Sequence, residues 1–376
     1  MRAAVFYGAG DVRVEERPAP RPAAGELLIE VHAAGICGTD AAEFADGPSM
    51  FPLHQRHPFS GHLGPMVPGH ELAGRVVSLG EGVEGFTVGE VVASAATVWC
   101  GACRWCRVDR TNLCERSWTV GLHRDGGLAE LCAVPARSCR PVASYGLTED
   151  AAALAQPMAI AVHAVGRGRP GAAEHALVLG VGGIGAFVTW VAVRAGMITS
   201  ACDLDPERLA VAEALGAAST LRAERGAPLA EALRGLPAQL DVVYEVTGSE
   251  EGIAAALEVV VDGGRVVVVG LQHRPQTVDL RRLALRELGV IGSQALVCPT
   301  DLPEALRLLA ARPEGWADVA PIALSLDRLA DEGLVPLAEG RAPGIKTLVD
   351  PRASASRPTR MELRKDPGAT DATIVQ

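Results

Sequence analysis

Positive charge is scarce in this sequence. Its 376 residues carry 35 Lys and Arg against 45 Asp and Glu, a formal net charge of -10 at pH 7. No basic footprint is therefore available to neutralise phosphates, and nucleic acid is excluded as a partner. Small neutral or polar ligands are the expectation. Lysine is nearly missing, present at Lys346 and Lys365, a bias toward arginine that reads as genomic and carries no functional weight. No cleavable signal peptide is expected, because "MRAAVFYGAG" reaches Gly and Asp before a long enough apolar stretch forms; a cytoplasmic location is the expectation. A long unbroken apolar run is absent too. Residues 176–193 come nearest, but Gly180, Gly182, Gly183 and Gly185 divide them into a short strand, a tight turn and a helix, which excludes a membrane span. There is no internal repeat.

The length predicts two domains of about 150 residues, each able to bury a core. Residues 1–155 are punctuated by Gly and Pro and carry short apolar runs such as "ELLIEVHAAG" and "ELAGRVVSLG", a β-rich texture. Over 156–294, short Val/Leu strands alternate with Ala/Leu/Arg helices, which predicts a doubly wound parallel sheet and an α/β fold class. The helical "DLPEALRLLAAR" and strand-like "GIKTLVD", within 295–350, are expected to return to the first domain. The tail, 351–376, lacks apolar periodicity and is expected to be disordered.

Nine cysteines are an odd number for a disulfide framework, and four fall within fifteen residues, which in a reducing compartment favours metal. Cys100, Cys103, Cys106 and Cys114 have the spacing C-x2-C-x2-C-x7-C, which lets one loop (98–116) wrap four thiolates around a tetrahedral ion. Zinc fits this, as a closed structural site with no position for substrate. An iron–sulfur cluster, or four unrelated cysteines, are the alternatives.

"ALVLGVGGIG" follows a predicted strand and opens a helix over about 184–194. Gly180, Gly182 and Gly185, with Gly183 and Ile184 between them, form G-x-G-x-x-G, where backbone approaches a pyrophosphate at a helix N-terminus. Asp203, about 20 residues further on, ends a second strand, where a carboxylate can bind ribose hydroxyls and repel a 2′-phosphate. The next arginine is Arg208, so NAD is favoured over NADP. The competing role for Asp203 is a helix N-cap.

"GICGTD" and "PGHE" supply Cys37, His70 and Glu71, a thiolate, an imidazole and a carboxylate suited to an open zinc site. Separately, a lone cysteine or a His-Glu pair is usually core filler. In the order "GICGTD", "VPGHE", four-cysteine lobe, "GVGGIG", Asp203, the chain resembles the zinc-dependent medium-chain dehydrogenases of the alcohol dehydrogenase superfamily over roughly residues 1–350. The polyol branch, with sorbitol, threonine and 2,3-butanediol dehydrogenases, is most similar. The resemblance implies a chaperonin-10-like β-barrel, a Rossmann domain and a catalytic zinc between them. It implies hydride transfer between NAD and an alcohol or its ketone, with zinc as Lewis acid on the substrate oxygen. Cys37, His70 and Glu71 map onto zinc ligands, Asp40 onto the carboxylate that orients the histidine, and Thr39 onto the hydroxyl that passes the substrate proton onward. A turn role is the alternative for Thr39. A homodimer or homotetramer, paired along a sheet edge near "GRVVVVGL" and "GVIGSQAL", is also implied.

Two positions depart from that pattern. Gln156-Pro157 stands where the branch usually has Glu-Pro near the metal, which removes one negative charge and lowers the pKa of a bound water or alcohol. Ala42 stands where many relatives place a relay histidine; Glu43, His54, His57 and His62 are the candidate substitutes. A secondary-alcohol or polyol dehydrogenase, acting on a vicinal diol or a cyclitol-like compound, is the leading expectation. The alternatives are a family member running non-redox chemistry and a non-catalytic zinc scaffold.

Overall fold

The computed structural model describes residues 1–236, 239–272, 274–342 and 344–363. The larger of its two main sheets has eight strands, in the order Arg357–Pro358, Ile322–Leu324, Leu348–Val349, Glu26–Gly35, Glu71–Leu79, Val91–Ser94 and Cys139–Pro141, with Leu131–Pro135 also pairing to Glu26–Gly35. Along "ELLIEVHAAG" the side chains of Leu27, Ile29, Val31 and Ala33 are fully buried, as the two-residue period of a strand demands. The register sets Gly35 opposite Glu71. A β-carbon at position 35 would collide with the Glu71 carboxylate, so glycine here is what admits a buried acid.

The second sheet has six parallel strands, ordered Ser219–Arg222, Ile198–Asp203, His175–Leu179, Leu240–Glu245, Val260–Val268 and Gly289–Gly292. Its chain order reverses between His175–Leu179 and Leu240–Glu245, the crevice where doubly wound sheets bind ligands. Helices cover both faces, so the strands are apolar on both sides. Ala176 and Val178 join one core while Leu177 and Leu179 join another. The run at 176–193 resolves into the strand His175–Leu179 and the helix Gly185–Arg194. Among the described residues, no helix is long and apolar enough to cross a membrane.

The helix Ala155–Arg167 carries Gln156 near its start. The helix Cys298–Ala310 packs beside it and against the helix Gly185–Arg194, where Trp190 Nε1 donates to the Leu308 carbonyl at 3.2 Å; Trp316, in the loop that follows, donates to the Leu309 carbonyl at 3.0 Å. The chain therefore rejoins the first sheet later than residue 295, at Ile322–Leu324.

The tail corrects the sequence reading. Arg357–Pro358 forms an antiparallel edge strand on Ile322–Leu324, and Met361 is buried. The Arg357 guanidinium grips Asp150 bidentately at 2.7 and 2.9 Å and Asp350 at 2.9 Å. A two-residue strand and an arginine clasp need no apolar period, which is why composition missed them. Residues 364–376 of the expected disordered tail lie outside the described residues. Asp150 is almost wholly buried (side chain 3% exposed), so Arg357→Ala leaves a carboxylate without its main counter-ion. We expect a loss on the order of 3 kcal/mol in urea unfolding; an unchanged midpoint would show the clasp to be inert.

Candidate active site

The four-cysteine loop closes on itself. The sulfurs of Cys100, Cys103, Cys106 and Cys114 all lie within 4.8 Å of one another, with Cys103–Cys106 at 3.5 Å and Cys100–Cys106 at 4.0 Å. A tetrahedron built on zinc–sulfur bonds of ~2.3 Å has edges of about 3.8 Å, so the cage has the size zinc requires. Main-chain N–H groups already point at sulfur: Cys100 to Cys114 at 3.2 Å, Cys103 to Cys100 at 3.3 Å, Arg116 to Cys114 at 3.3 Å. Such donors favour thiolate. The amides of Cys106 and Glu115 hold the Cys103 thiol down to about 6, whereas burial pushes Cys106 up to about 12. A divalent cation offsets that penalty, and four sulfurs leave it no open position.

The second cluster assembles from three places in the chain. Cys37 precedes the helix Gly38–Asp46, and its N–H donates to Asp40 Oδ2 at 2.9 Å. His70 follows Gly69, whose φ of +98° and contact with Leu128 suit glycine alone. Glu71 opens its strand opposite Gly35. Ligand atoms of Cys37, His70 and Glu71 come within 4.8 Å of one another, and His70 and Glu71 are buried. Asp40 Oδ1, His70 Nδ1, Glu71 Oε2 and Gln156 Oε1 are buried without hydrogen-bond partners. Orphans of this kind are costly in a native interior. At the trio, a cation that accepts a lone pair of Glu71 Oε2 is the remedy the chemistry suggests, while Asp40 Oδ1 and His70 Nδ1 face each other. Asp40 Oδ1 stands 3.7 Å from His70 Nδ1, the side from which it can orient the ring. Burial pulls the His70 imidazole down, but the Cys37 thiolate and Asp40 outweigh it and raise it to about 9.

Lys346 was missed by the sequence reading. Its ammonium donates to Glu71 Oε1 at 2.6 Å and to the Ile36 carbonyl at 3.1 Å, fully enclosed. Burial works against its charge, yet Glu71 and Cys37 more than compensate and the amine is held above its ordinary value. A signal existed. Among the described residues this is the one lysine in an arginine-rich chain, and the bias that was set aside as genomic leaves the exception at the site.

Lys346 also joins the cluster to the glycine-rich loop: a β-carbon at Gly183 would lie 3.6 Å from its amine and from the Ile345 carbonyl. Gly180 has φ +94°, and a side chain at Gly185 would strike the Gly180 carbonyl; Ile184 caps the helix that follows. Asp203 Oδ2 accepts the Val181 N–H at 2.7 Å and Oδ1 the Asp205 N–H at 3.0 Å. The helix N-cap is Asp205, whose carboxylate accepts from Glu207 N–H, so the N-cap alternative for Asp203 falls. Arg208, three residues beyond Asp205, folds back on the loop: its Nη1 is 3.9 Å from where a β-carbon on Gly182 would sit.

The substitutes suggested for the missing relay histidine fare differently. Ala42 is exposed. Glu43 is buried and fully engaged, accepting from Ser49 N–H and Oγ–H, Met50 N–H at 2.6 Å and Phe51 N–H, so it anchors a loop and is not available as a relay. His54 is exposed, and His62 Nε2 binds the Gly64 carbonyl at 3.2 Å. Thr39 Oγ1 lies 3.8 Å from Cys37 Sγ, at the metal trio.

Two metal stoichiometries follow from two clusters. We expect two zinc per chain by elemental analysis, falling to one in Cys103→Ser together with a lower melting temperature, because a structural site contributes folding energy. Two zinc retained in the variant would dissociate the lobe from metal.

Comparison with known proteins agrees with this geometry. Residues 23–144 match the alcohol dehydrogenase GroES-like domain, and residues 183–311 match the zinc-binding dehydrogenase family. A 2-dehydro-3-deoxy-L-galactonate 5-dehydrogenase of Pseudoalteromonas atlantica is 32% identical, covering 93% of this chain and 98% of the relative. An (R,R)-butanediol dehydrogenase of Neisseria gonorrhoeae is 31% identical, covering 93% and 99%. The crystal structure of 2R,3R-butanediol dehydrogenase from Bacillus subtilis superposes with a TM-score of 0.83 at 28% identity, covering 93% of this chain and 99% of that one. The chain thus belongs to the zinc-dependent medium-chain dehydrogenases, in the branch of the butanediol and polyol enzymes, and is an oxidoreductase of secondary alcohols that works with zinc and a nicotinamide dinucleotide.

Proposed function

We propose that this enzyme oxidises a vicinal diol or related polyol, a cyclitol included, to its ketone, or runs the reverse reduction, with NAD preferred over NADP. The observation that carries the reading is the reach of Lys346, one side chain whose amine binds Glu71 of the metal trio while lying against Gly183 of the dinucleotide loop. Metal and cofactor sites are thereby one cleft, as hydride transfer requires.

Cys37, His70 and Glu71 are the residues that would hold the catalytic zinc. When bound, zinc supplies a Lewis acid for the substrate oxygen, and the nicotinamide accepts the hydride. The chain's own groups do the rest. Asp40 fixes the His70 ring. Thr39 offers a hydroxyl beside Cys37 to take the substrate proton. Lys346 gives Glu71 a counter-ion in a closed interior. Asp40 and Lys346 contribute one charge of each sign, so the balance among zinc, Cys37 and Glu71 stays neutral, with Gln156 adding none.

On the cofactor side, Asp203 presents a carboxylate at the strand end where ribose hydroxyls bind, and it repels a 2′-phosphate. The proximity of Arg208 to Gly182 tempers that repulsion, so the preference rests on Asp203 itself. Two copies would pair through the edge strand Gly289–Gly292, which carries the exposed Val290, about a twofold axis. Nine cysteines outside disulfides, five of them assigned to metal, fit a reducing, cytoplasmic setting.

Following NADH absorbance with a panel of diols, polyols and monofunctional secondary alcohols tests the reading. We expect turnover with diols and a preference for NAD that falls by roughly tenfold or more in Asp203→Ser, since a charge repulsion of a kcal/mol or two is removed. Two zinc and NAD binding with no turnover on any alcohol would favour the scaffold instead. For Gln156→Glu the sign follows from charge: an added anion opposes loss of a proton, so the acid limb of the pH–rate profile moves up by about one unit. An unmoved profile would detach Gln156 from the metal.

A further inference from the structure

His57 and His123 come from segments distant in sequence and stack as a pair, ring centroids 4.4 Å apart at 26°. His123 sits in a loop that grips the main chain leading into His70: Gly126 N–H donates to the Val67 carbonyl, Leu128 N–H to that of Pro68 and Gly127 N–H to that of Gly69, at 2.8 to 3.0 Å. It lies close enough to feel the charges of Glu43 and His70. His57 belongs to the 48–65 segment, which is tied to the same loop by Ser60 Oγ–H donating to the His123 carbonyl at 2.5 Å.

Both rings have their tautomer fixed by the main chain. Thr119 N–H donates to His123 Nδ1 at 2.9 Å, and Ser60 N–H to His57 Nδ1 at 3.1 Å. An N–H can donate only to a bare lone pair, so each neutral ring carries its proton on Nε2. Burial holds both imidazoles below their ordinary value, and His123, with His57 adding to the effect, is pushed down to about 4. These are uncharged rings at neutral pH. A proton relay needs a lone pair to receive on one side and an N–H to give on the other, and here the lone pairs are occupied by backbone. Two Nε2–H donors remain, with no partner among the described residues and neither atom shut away from solvent.

We propose that His57 and His123 form a paired-donor subsite of the substrate cleft, whose two Nε2–H groups bind an oxygen of the substrate beyond the reacting carbinol. This rests on the polyol reading above. It assigns the pair to specificity, in place of the relay role weighed for His57, and it gives the 48–65 segment a task. That oxygen can belong to a hydroxyl or to a carboxylate, since both accept from a neutral N–H.

Amide substitutions separate the two nitrogens. In His123→Asn and His57→Asn, the side-chain carbonyl stands in for Nδ1 and keeps the loop's internal hydrogen bond, while the Nε2–H is lost. In the Gln variants, an amide N–H returns near the Nε2 position. The readout is kcat/KM with NAD on the zinc-loaded enzyme for butane-2,3-diol, butan-2-ol and L-galactonate, with melting temperature on each protein. We expect the diol-to-monoalcohol ratio to fall about 3- to 10-fold per donor removed, mainly through KM, with partial rescue by Gln. A fall confined to galactonate identifies the oxygen as a carboxylate's. An unchanged ratio together with unchanged galactonate turnover in both Asn variants overturns the proposal, as does a parallel loss on all substrates that follows the melting temperature. Wild-type enzyme that turns over butan-2-ol as well as the diol and galactonate overturns the substrate class itself, a result distinct from either.

Discussion

Glu71 and its ion pair with Lys346 are the constraint on which the site depends. A carboxylate with no solvent exposure is affordable in this interior because Gly35 leaves space for it and Lys346 neutralises it. Breaking such a pair by removing one partner strands a charge in low dielectric, a cost of about 3–5 kcal/mol. The pair also sets distances. Lys346 reaches from a late segment of the chain to an early strand while lying over the dinucleotide loop, so the two halves of the molecule are held in register by the group that balances the metal ligands.

The neighbouring electrostatics follow one pattern, in which every buried charge near the trio has an answer of opposite sign. Asp40 faces His70, Lys346 faces Glu71, and Cys37 lies close enough to raise the proton affinity of both bases. A site so balanced gains little from a further carboxylate, which makes Gln156 a coherent part of it. The complete dinucleotide loop favours the redox enzyme over an inert zinc scaffold, which has less use for it.

Spacing motifs were the legible part. The four cysteines, the glycines at 180, 182 and 185, and the strand–helix alternation each encode geometry within one short segment, and each landed where local rules put it. What sequence hid was contact across distance. Lys346 lies 275 residues from Glu71, and no periodicity announces it. Arg208 looks remote from the glycine loop along the chain but is brought back by one helical turn. Glu43 looked like an available acid until the fold surrounded it with donors. His123 was not singled out at all, because a histidine in a Gly-rich turn has no local signature. The tail failed for a different reason: an arginine clasp works through two partners in distant segments, whereas disorder is judged on composition.

The order in which these parts leave the ribosome matters. The six-stranded parallel sheet is drawn from one continuous stretch and can be completed while the rest is still being made. The eight-stranded sheet draws strands from residue 26 to residue 358, so it stays open until synthesis is nearly finished. Cys37, His70 and Glu71 are made early yet wait for Lys346. The four-cysteine lobe, local in sequence, has all its ligands long before then, so the chain order allows the two sites to fill at different moments.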